Sequence, residues 1–403
     1  YHGQLVLPIP ELGEDNYVLL SSLDETVIQH GAEFNLGIHK YNNQYNPNGH
    51  KYIRQFDCEV VSRTIYRVGG VVLSKERMLV SFEPRVLIRY KLIEAHSPTT
   101  IRFRPFLAFR SVNELTHAND SADTNYEQVE NGVAMRLYPQ FPQLHMQFSK
   151  KNVYEHTPNW YKDIEYYKEQ ERGFEYKEDQ LVPGYFEMPI KKGEEIIFSA
   201  GITEVKTRSL KSLWDKELER RHARVDMFAC LKNSAQQFYK RNGEKCHLIA
   251  GYPWFKAVAR DEFMALPACT FLSDREDYWK LIVDNTAVTE IRNFMEGKHQ
   301  QNELKDLDAP DALLWFIHAN VCQVSRFQSD CPTIWRFGTR HHQLHSKTTT
   351  PTHHPTKQRT ALCRWNRNSC HMDECGRKQS PHHSSNWLCS GNQCFVVQCT
   401  KIH

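Results

Sequence analysis

The sequence of 403 residues has no apolar run that reaches the length of a membrane-spanning helix, and no signal-peptide pattern opens it. We therefore predict neither a membrane partner nor secretion. The chain also has no initiating methionine. It begins with Tyr1, so we expect a fragment of a longer protein. The length is enough for two or three domains.

Cysteine is scarce before residue 320, where only four of the 12 cysteines occur, and these four are scattered. Scattered cysteines suit a reduced, cytoplasmic protein. Charge divides at the same position. Of the 51 basic and 48 acidic residues, 11 and 3 lie in residues 320–403, which leaves 40 and 45 in a mildly acidic body.

Residues 1–205 show the alternation of apolar and polar side chains that is typical of half-buried strands. Ile101 and Phe103, for example, are interleaved with arginines. Other strand candidates are Val71–Leu73, Met78–Val80, Val86–Tyr90, Val133–Leu137 and Glu194–Ile202. Many short strands at such spacing indicate a β-sandwich.

Two further segments precede the most informative part of the chain. Tyr154–Tyr185 is rich in Tyr, Glu and Lys and favours a loop or hairpin over the sandwich, with a sugar-contacting loop as the alternative. Residues 206–245 then change to the helical period, with apolar side chains three or four positions apart. We interpret them as a helical linker that ends in a C-cap at Asn242 and Gly243.

The most informative stretch is Ala250–Leu272, AGYPWFKAVARDEFMALPACTFL. It places Tyr252 and Trp254 shortly before Arg260 and Asp261, which we expect to form a buried ion pair. Aromatic rings can cover the apolar faces of a pyranose, and an Arg–Asp pair offers directed donors and acceptors to its hydroxyl groups. The alternative is a helix N-terminus with an aromatic staple and a structural ion pair.

Helical signals follow one another through residues 246–319 without an intervening strand. A helix is predicted from about Asp261, Ser273 and Glu276 form a capping box for the next one, and Asp308 is the expected N-cap of a third. A succession of helices of this kind indicates a domain built of helical hairpins.

The stretch Ala250–Leu272 resembles the opening motif of the catalytic domain in glycogen debranching enzymes of the amylo-α-1,6-glucosidase type. The family pattern is close to AGY-x-WF, a short spacer and RD-x-F-x-ALPG-x-TL. This chain departs from it at Ala268, where Gly is usual. The opening YHGQLVLP and the segment Leu19–Val27 resemble the N-terminal domain of the same family. The resemblance covers residues 1–319.

The resemblance implies an α+β multidomain fold, in which the β-sandwich is followed by a truncated (α/α)6 helical barrel whose first helices are residues 246–319. It also implies hydrolysis of α-1,6-linked glucosyl stubs on glycogen or a related α-glucan, with inversion and without a cofactor or a metal. The residues that it implies for substrate binding are Tyr252, Trp254, Arg260 and Asp261.

A second resemblance lies in the stretch DAPDALLWF, where the family often has D-A/S-x-LWF. It implies that Asp311 is the general acid and that Trp315 forms a wall of the site. Without the resemblance, Asp311 would be a first-turn carboxylate that complements the helix dipole. Inversion also needs a base roughly 6.5–9.5 Å from the acid, so that a water molecule fits between them. That base is expected downstream.

From Asn320 onward the helical pattern ends, and Cys, His, Thr and Arg become frequent. Read one base later with free choice of synonymous codons, Arg359–Cys375 gives GLLYAGGTGIHVTWMNA and Trp387–Ile402 gives GYAVEINALWYNALKF, which resemble late motifs of the family. We therefore interpret residues 320–403 as out-of-frame translation and predict a disordered tail.

The catalytic base is then missing, and this chain is expected to be inactive. The tail cysteines lack the paired C-x-x-C spacing of a zinc site.

Two other functions stay open. One is another helical-barrel α-glucosidase, similar to glucoamylases or trehalases, because linkage preference cannot be read from these residues. The other is a non-catalytic α-glucan-binding protein. A nucleic-acid partner would depend on the basic tail alone, and we do not predict one, because charge in an out-of-frame segment has no meaning.

Overall fold

The computed structural model describes residues 3–13, 15–221, 223–271, 273, 275–298, 300 and 302–327. The chain divides into two compact units, of which the first ends at Cys230 and the second begins at Leu231. Within the described ranges, no helix is both long enough and apolar enough to cross a membrane.

Sixteen strands are described in the first unit. The first eight are β1 (Leu5–Pro8), β2 (Asn16–Gln29), β3 (Ala32–Asn35), β4 (Ile38–Tyr41), β5 (Gln44–Asn48), β6 (Ile53–Cys58), β7 (Ser62–Val68) and β8 (Val71–Leu79). The others are β9 (Arg85–Glu94), β10 (Thr99–Ser111), β11 (Tyr126–Val129), β12 (Gly132–Met135), β13 (Leu144–Phe148), β14 (Val153–Glu165), β15 (Lys177–Ile190) and β16 (Glu195–Gly201).

These strands form two large antiparallel sheets and one small hairpin. Six strands make the first sheet in the order β1–β2–β10–β15–β14, with β3 paired to β2. Eight strands make the second sheet in the order β11–β12–β13–β16–β9–β8–β7–β6. The strands β4 and β5 pair with each other as a separate hairpin.

Phe148 on β13 shows how the two large sheets share one core. Its ring centroid lies 4.9 Å from that of Phe103 on β10, and 5.0 Å from those of Phe186 on β15 and Phe198 on β16. Phe103 and Phe186 belong to the six-stranded sheet, the other two to the eight-stranded sheet, and all four rings are fully buried. Two antiparallel sheets packed face to face are a β-sandwich, so this prediction is confirmed.

Successive side chains of β10 point alternately to the core and to the opposite face of the sheet, as its alternating sequence predicts. Ile101 and Phe103 are fully buried in the core, whereas Arg102 and Arg104 are half-buried on the opposite face of the sheet. The segment Tyr154–Tyr185 forms a hairpin, which was one of the alternatives. Its strands β14 and β15 belong to the six-stranded sheet and do not lie over it, and the short helix α1 (Tyr167–Glu171) connects them.

The predicted helical linker contains helices and one strand of a hairpin. Its helices are α2 (Leu210–Glu219) and α3 (Met227–Ala235), and they are followed by β17 (Tyr239–Asn242) and β18 (Lys245–Leu248). The prediction of a helix C-cap at Asn242 and Gly243 is therefore wrong. Gly243 has a φ of +61° and lies in the two-residue loop between the paired strands. A glycine with positive φ suits a helix C-cap and a tight hairpin equally, which explains the error.

Four further helices are described in the second unit. They are α4 (Ala259–Thr270), α5 (Glu276–Ile282), α6 (Val288–Met295) and α7 (Ala312–Phe327), and a π-helical turn at Val283–Ala287 joins α5 to α6. They enclose a core that includes Phe263, Trp279 and Phe316. As predicted, no strand lies between these helices in the described residues; β18, which precedes α4, packs into the same core. The complete (α/α)6 barrel needs more helices than these and stays a prediction.

The predicted helix starts differ from the described ones. Ser273 does not cap α5: its hydroxyl donates to the backbone carbonyls of Cys269 and Thr270 at the end of α4. The helix α5 begins after Arg275 without a side-chain cap. Likewise α7 begins at Ala312, and not directly after Asp308.

The helical pattern does not end at Ala319. The helix α7 continues to Phe327, and Asn320 is buried, with its side-chain amide donating to the carbonyl of Phe316 at 2.7 Å. The prediction of a structural break at Asn320 is therefore wrong. The remainder of the predicted out-of-frame tail, residues 328–403, lies outside the described residues.

Candidate active site

Arg260 and Asp311 form the contact on which the candidate site is built. Arg260 lies in the first turn of α4, and Asp311 directly precedes α7. The Arg260 Nη2 and Nε atoms donate to Asp311 Oδ1 at 2.7 and 3.1 Å. Asp311 is only 9% exposed, so its carboxylate has lost most of its contact with water. The Arg260 guanidinium compensates for part of this loss.

Asp311 occupies the N-cap position of α7. Its backbone carbonyl accepts the hydrogen bond of the Trp315 N–H at 3.0 Å, which is the first bond of the helix. Its side chain pairs with Arg260, whereas a capping side chain would bond to a backbone N–H of the first turn. The helix dipole and the guanidinium both favour a negative charge at this place.

The expected pair between Arg260 and Asp261 is not formed. Adjacent residues of a helix point in directions about 100° apart, and only Arg260 faces Asp311. Asp261 is exposed and makes no ion pair or hydrogen bond with its side chain among the described residues. The sequence therefore predicted the correct arginine with the wrong carboxylate.

The aromatic residues before α4 are open to solvent. Tyr252, Trp254 and Phe255 are 47%, 48% and 59% exposed, so they do not form the buried aromatic staple of the alternative interpretation. The Tyr252 hydroxyl donates to Gln237 Oε1, which fixes one of the three rings. Trp315 is half-buried on α7 and lies edge-on to His318, with 5.8 Å between the ring centroids.

A buried charged cluster beside this site was missed by the sequence analysis. His247 on β18 lies between Glu262 on α4 and Glu290 on α6, and all three residues are almost completely buried. His247 Nδ1 lies 3.0 Å from Glu262 Oε2, and His247 Nε2 lies 3.6 Å from Glu290 Oε1. A half-exposed cation, Lys245, lies 3.8 Å from the same Glu290 oxygen. One imidazolium and one ammonium thus balance two carboxylates.

The carboxylates also hold the backbone of neighbouring segments. Glu262 Oε2 accepts the Leu248 N–H at 3.1 Å. Glu290 accepts the N–H groups of Glu303 and Leu304 at 3.2 and 2.9 Å. The cluster therefore joins β18, α4, α6 and the segment before α7, and it fixes the helix that carries Arg260.

The protonation of this cluster follows from its burial. Burial alone would lower the pKa of His247, but the two carboxylates outweigh it and raise the pKa to about 9. Burial also raises the pKa of Glu262. The same effect on Glu290 is outweighed by His247 and the two backbone N–H groups, which lower the pKa of Glu290. His247 is therefore charged at neutral pH.

One sequence signal could have revealed the cluster. His247 stands in the apolar run Cys246–Ala250, and Glu262 stands beside Phe263 in a helix whose apolar face includes position 262. Polar residues in such positions are buried only when they are paired. Each alone is weak evidence, because no sequence rule identifies which buried histidine meets which carboxylate.

The described residues offer no evident place for a metal. In the ranges that the structure describes, no group of three or more His, Cys, Asp or Glu side chains is arranged to hold an ion. The described cysteines, Cys58, Cys230, Cys246, Cys269 and Cys322, are all unpaired.

Two family models match the chain, and together they define a glycoside hydrolase of the debranching type. The model "Glycogen debranching enzyme N terminal" matches residues 1–197, which is the sandwich. The model "Amylo-alpha-1,6-glucosidase" matches residues 232–337, which include the Arg260–Asp311 site. The chain belongs to the glycogen debranching enzyme family.

The solved structures that resemble the chain are distant. One is a bacterial glucoamylase complexed with acarbose, with 8% identity, a TM-score of 0.30, and coverage of 51% of this chain and 32% of that one. Another is a polysaccharide lyase, with 13% identity, a TM-score of 0.22, and coverage of 49% and 27%. The matched region thus spans about a third of the glucoamylase, and neither likeness supports a conclusion about this chain. No curated protein matches the sequence.

Proposed function

We propose that the second unit belongs to an amylo-α-1,6-glucosidase that hydrolyses glucosyl branch stubs on glycogen or a related α-glucan, with inversion. The observation that carries the proposal is the nearly buried Asp311 carboxylate, held by Arg260 inside the segment that the glucosidase model matches. We place the enzyme in the cytoplasm, because the four cysteines before residue 320 are scattered, and we place its helices in an (α/α)6 barrel, as the family resemblance implies.

The proposed substrate contacts divide by chemistry. Trp254 and Tyr252 offer exposed ring faces for the apolar side of a glucose unit, and Trp315 supplies a wall. Arg260 and Asp261 offer charged donors and acceptors to the hydroxyl groups, and Asp261 is accessible for this purpose because its carboxylate is exposed.

Asp311 is the proposed general acid, but its ion pair with Arg260 opposes the protonated state that this role needs. A general acid must carry a proton when the substrate is bound, whereas an adjacent guanidinium favours the charged carboxylate. The proposal therefore requires that bound sugar draws the Arg260 guanidinium away from Asp311. If Arg260 stays in place, the pair is a binding device for sugar hydroxyls and the acid is another residue.

Two substrates distinguish these roles of Asp311. Cleavage of a glucosidic bond needs protonation of the leaving oxygen, whereas fluoride leaves from α-glucosyl fluoride with little help from an acid. The test uses the protein with its reading frame restored, because the base is expected downstream of the described residues. In Asp311→Asn, we expect kcat on a branched limit dextrin to fall about a thousandfold and kcat on the fluoride to fall by less than tenfold. An equal loss on both substrates would contradict the acid role and favour binding.

A second candidate is a non-catalytic α-glucan-binding protein. The exposed rings of Tyr252 and Trp254 favour it, since they suit binding whether or not cleavage follows. Glucan binding without any hydrolysis, in the protein with the restored frame, would support this candidate and would contradict the glucosidase.

A further inference from the structure

An open cavity of about 620 Å³ lies in the first unit, on the face of the six-stranded sheet that is turned away from the sandwich core. Its volume falls in the range of small-molecule sites, roughly 300–1,000 Å³. Its lining comes from β2, β3, β10, β14 and the β4–β5 hairpin, so none of it belongs to the candidate active site.

Aromatic rings form one side of this cavity. Phe106 on β10 is buried at its base, and the His39 ring lies 4.6 Å from it, centroid to centroid. Tyr161 on β14 stands edge-on to Phe106 at 5.0 Å and is itself half-buried. Tyr41 completes this side. Burial, together with the nearby Asp24, raises the pKa of Tyr41, so its hydroxyl keeps its proton and can donate.

Charged groups of opposite sign form the second side. Asp24 and Arg104 are directly opposite each other on β2 and β10. Asp24 Oδ2 lies 2.8 Å from His39 Nε2 and so is satisfied by the imidazole. The Arg104 guanidinium lies over the Tyr185 ring, 5.6 Å from its centroid, and makes one long hydrogen bond among the described residues, 3.5 Å from Nη1 to Thr26 Oγ1. Its other N–H groups are available to a ligand.

Side-chain amides form the rim of the cavity. Asn42, Gln44 and Asn46 are exposed at the β4–β5 hairpin, and their amides make no hydrogen bond within the described parts of the chain. The hairpin that carries them is fixed to β14, because Glu165 accepts the Asn43 N–H at 3.1 Å and lies 3.4 Å from Lys40 Nζ. A fixed rim reduces the ordering cost of binding.

We propose that this cavity is a second α-glucan-binding site, which binds glucosyl units of the polymer without cleaving them. The opposite charges of Asp24 and Arg104 balance, which favours a neutral ligand over an anion or a cation. Aromatic faces beside amide donors and acceptors suit the two-sided surface of a pyranose. The ligand class is taken from the proposed function, while the position and residues of the site are independent of it.

The test measures the binding of maltoheptaose to the full chain by titration calorimetry. Trp254→Ala first removes the proposed contact in the second unit, so that any binding that remains reports on the first unit. In that background, we expect the double substitution Gln44→Ala/Asn46→Ala to weaken binding about tenfold or more, since two hydrogen bonds are lost. Tyr161→Ala should also weaken it. The matched controls are Asn48→Ala and Tyr45→Ala, which change exposed residues of the same hairpin outside the cavity.

The outcomes separate this proposal from the proposed function. Binding that survives Trp254→Ala and disappears with the rim substitutions supports the second site. If Trp254→Ala alone abolishes all binding, the second site is overturned, while the glucosidase proposal stands. If the controls weaken binding as much as the rim substitutions do, or if the unsubstituted chain binds no maltoheptaose, the second site is also overturned. Hydrolysis by the protein with the restored frame decides the glucosidase proposal separately.

Discussion

Arg260 and Asp311 are 51 positions apart in the sequence, and two guanidinium nitrogens of Arg260 converge on one carboxylate oxygen of Asp311. This contact joins the two stretches in which the family resemblance is strongest. It ties the first turn of α4 to the start of α7 at the place where Phe263 and Phe316 also pack, with ring centroids 5.0 Å apart. One ion pair thus contributes both to the packing of two helices and to the proposed chemistry.

A double-mutant cycle on Arg260 and Asp311 should show strong coupling in stability. Arg260→Ala leaves a nearly buried carboxylate without its partner, so we expect the free energy of unfolding to fall by about 2 kcal/mol. Adding Asp311→Ala should recover part of this loss, with a coupling energy of about 1 kcal/mol or more. Urea denaturation of the four proteins gives the values. A second double-mutant cycle, on Arg260 and Asp261, is the control. A coupling energy of equal size in this cycle would contradict the pairing of Arg260 with Asp311.

Stability should decline in alkaline solution because of His247. Its pKa is raised from 6.5 to about 9 in the folded protein, so its contribution is complete below pH 6.5 and is lost as the pH rises through 9. The shift corresponds to about 3 kcal/mol. Deprotonation leaves Glu262 and Glu290 on opposite sides of a neutral ring, with the half-exposed Lys245 beside Glu290.

The measurement is urea unfolding between pH 6 and 9.5 for the unsubstituted chain and for His247→Gln. We expect the free energy of unfolding of the unsubstituted chain to fall across this range, and that of His247→Gln to be lower at pH 6 and to change less. Parallel curves for the two proteins would show that His247 is not the titrating group.

Trp254 should contribute to sugar binding and little to stability. Its ring is 48% exposed, so Trp254→Ala should change the free energy of unfolding by less than about 0.5 kcal/mol. If the ring covers a glucose unit, affinity for isomaltose should fall about tenfold. Met264→Ala changes another exposed apolar residue, 47% exposed, and serves as the control. Unchanged affinity in Trp254→Ala would remove this residue from the proposed site.

The coding DNA should show an altered reading frame near the C-terminal part of the chain. We expect resequencing from the codon of His318 onward to reveal a missing or extra base. Because α7 continues to Phe327 and the family match continues to residue 337, the search should extend through the codon of residue 337. Confirmation of the sequence as it stands would overturn the frame proposal and would leave a protein expected to have no glucosidase activity.

Local patterns predicted the sandwich well, because a strand with one buried face alternates apolar and polar residues, and this alternation shows which side chains face the core. The alternation at Ile101 and Phe103 is an example. Local patterns failed where the same residue type is typical of two different structures. Gly243 suits both a C-cap and a hairpin, and the long helical run before it favoured the wrong choice.

Pairings between distant segments were beyond the sequence. The sequence indicates the importance of Arg260 but predicts the neighbouring Asp261 as its partner, whereas the true partner, Asp311, is 51 positions away. His247 and Glu262 give only a weak signal, because the sequence does not show which carboxylate a buried histidine meets until the hairpin and α4 are brought together. The cavity beside Arg104 was missed for the same reason, since its lining comes from four separate strands and a hairpin turn.

The most direct measurement follows glucose released from a branched limit dextrin by NMR, using the protein with its reading frame restored and its Asp311→Asn variant. We predict that the β-anomer of glucose appears first, because inversion at an α-linkage gives the β-product, and that Asp311→Asn releases it about a thousandfold more slowly. Release of the α-anomer, or equal rates for the two proteins, would contradict an inverting glucosidase that uses Asp311 as its acid.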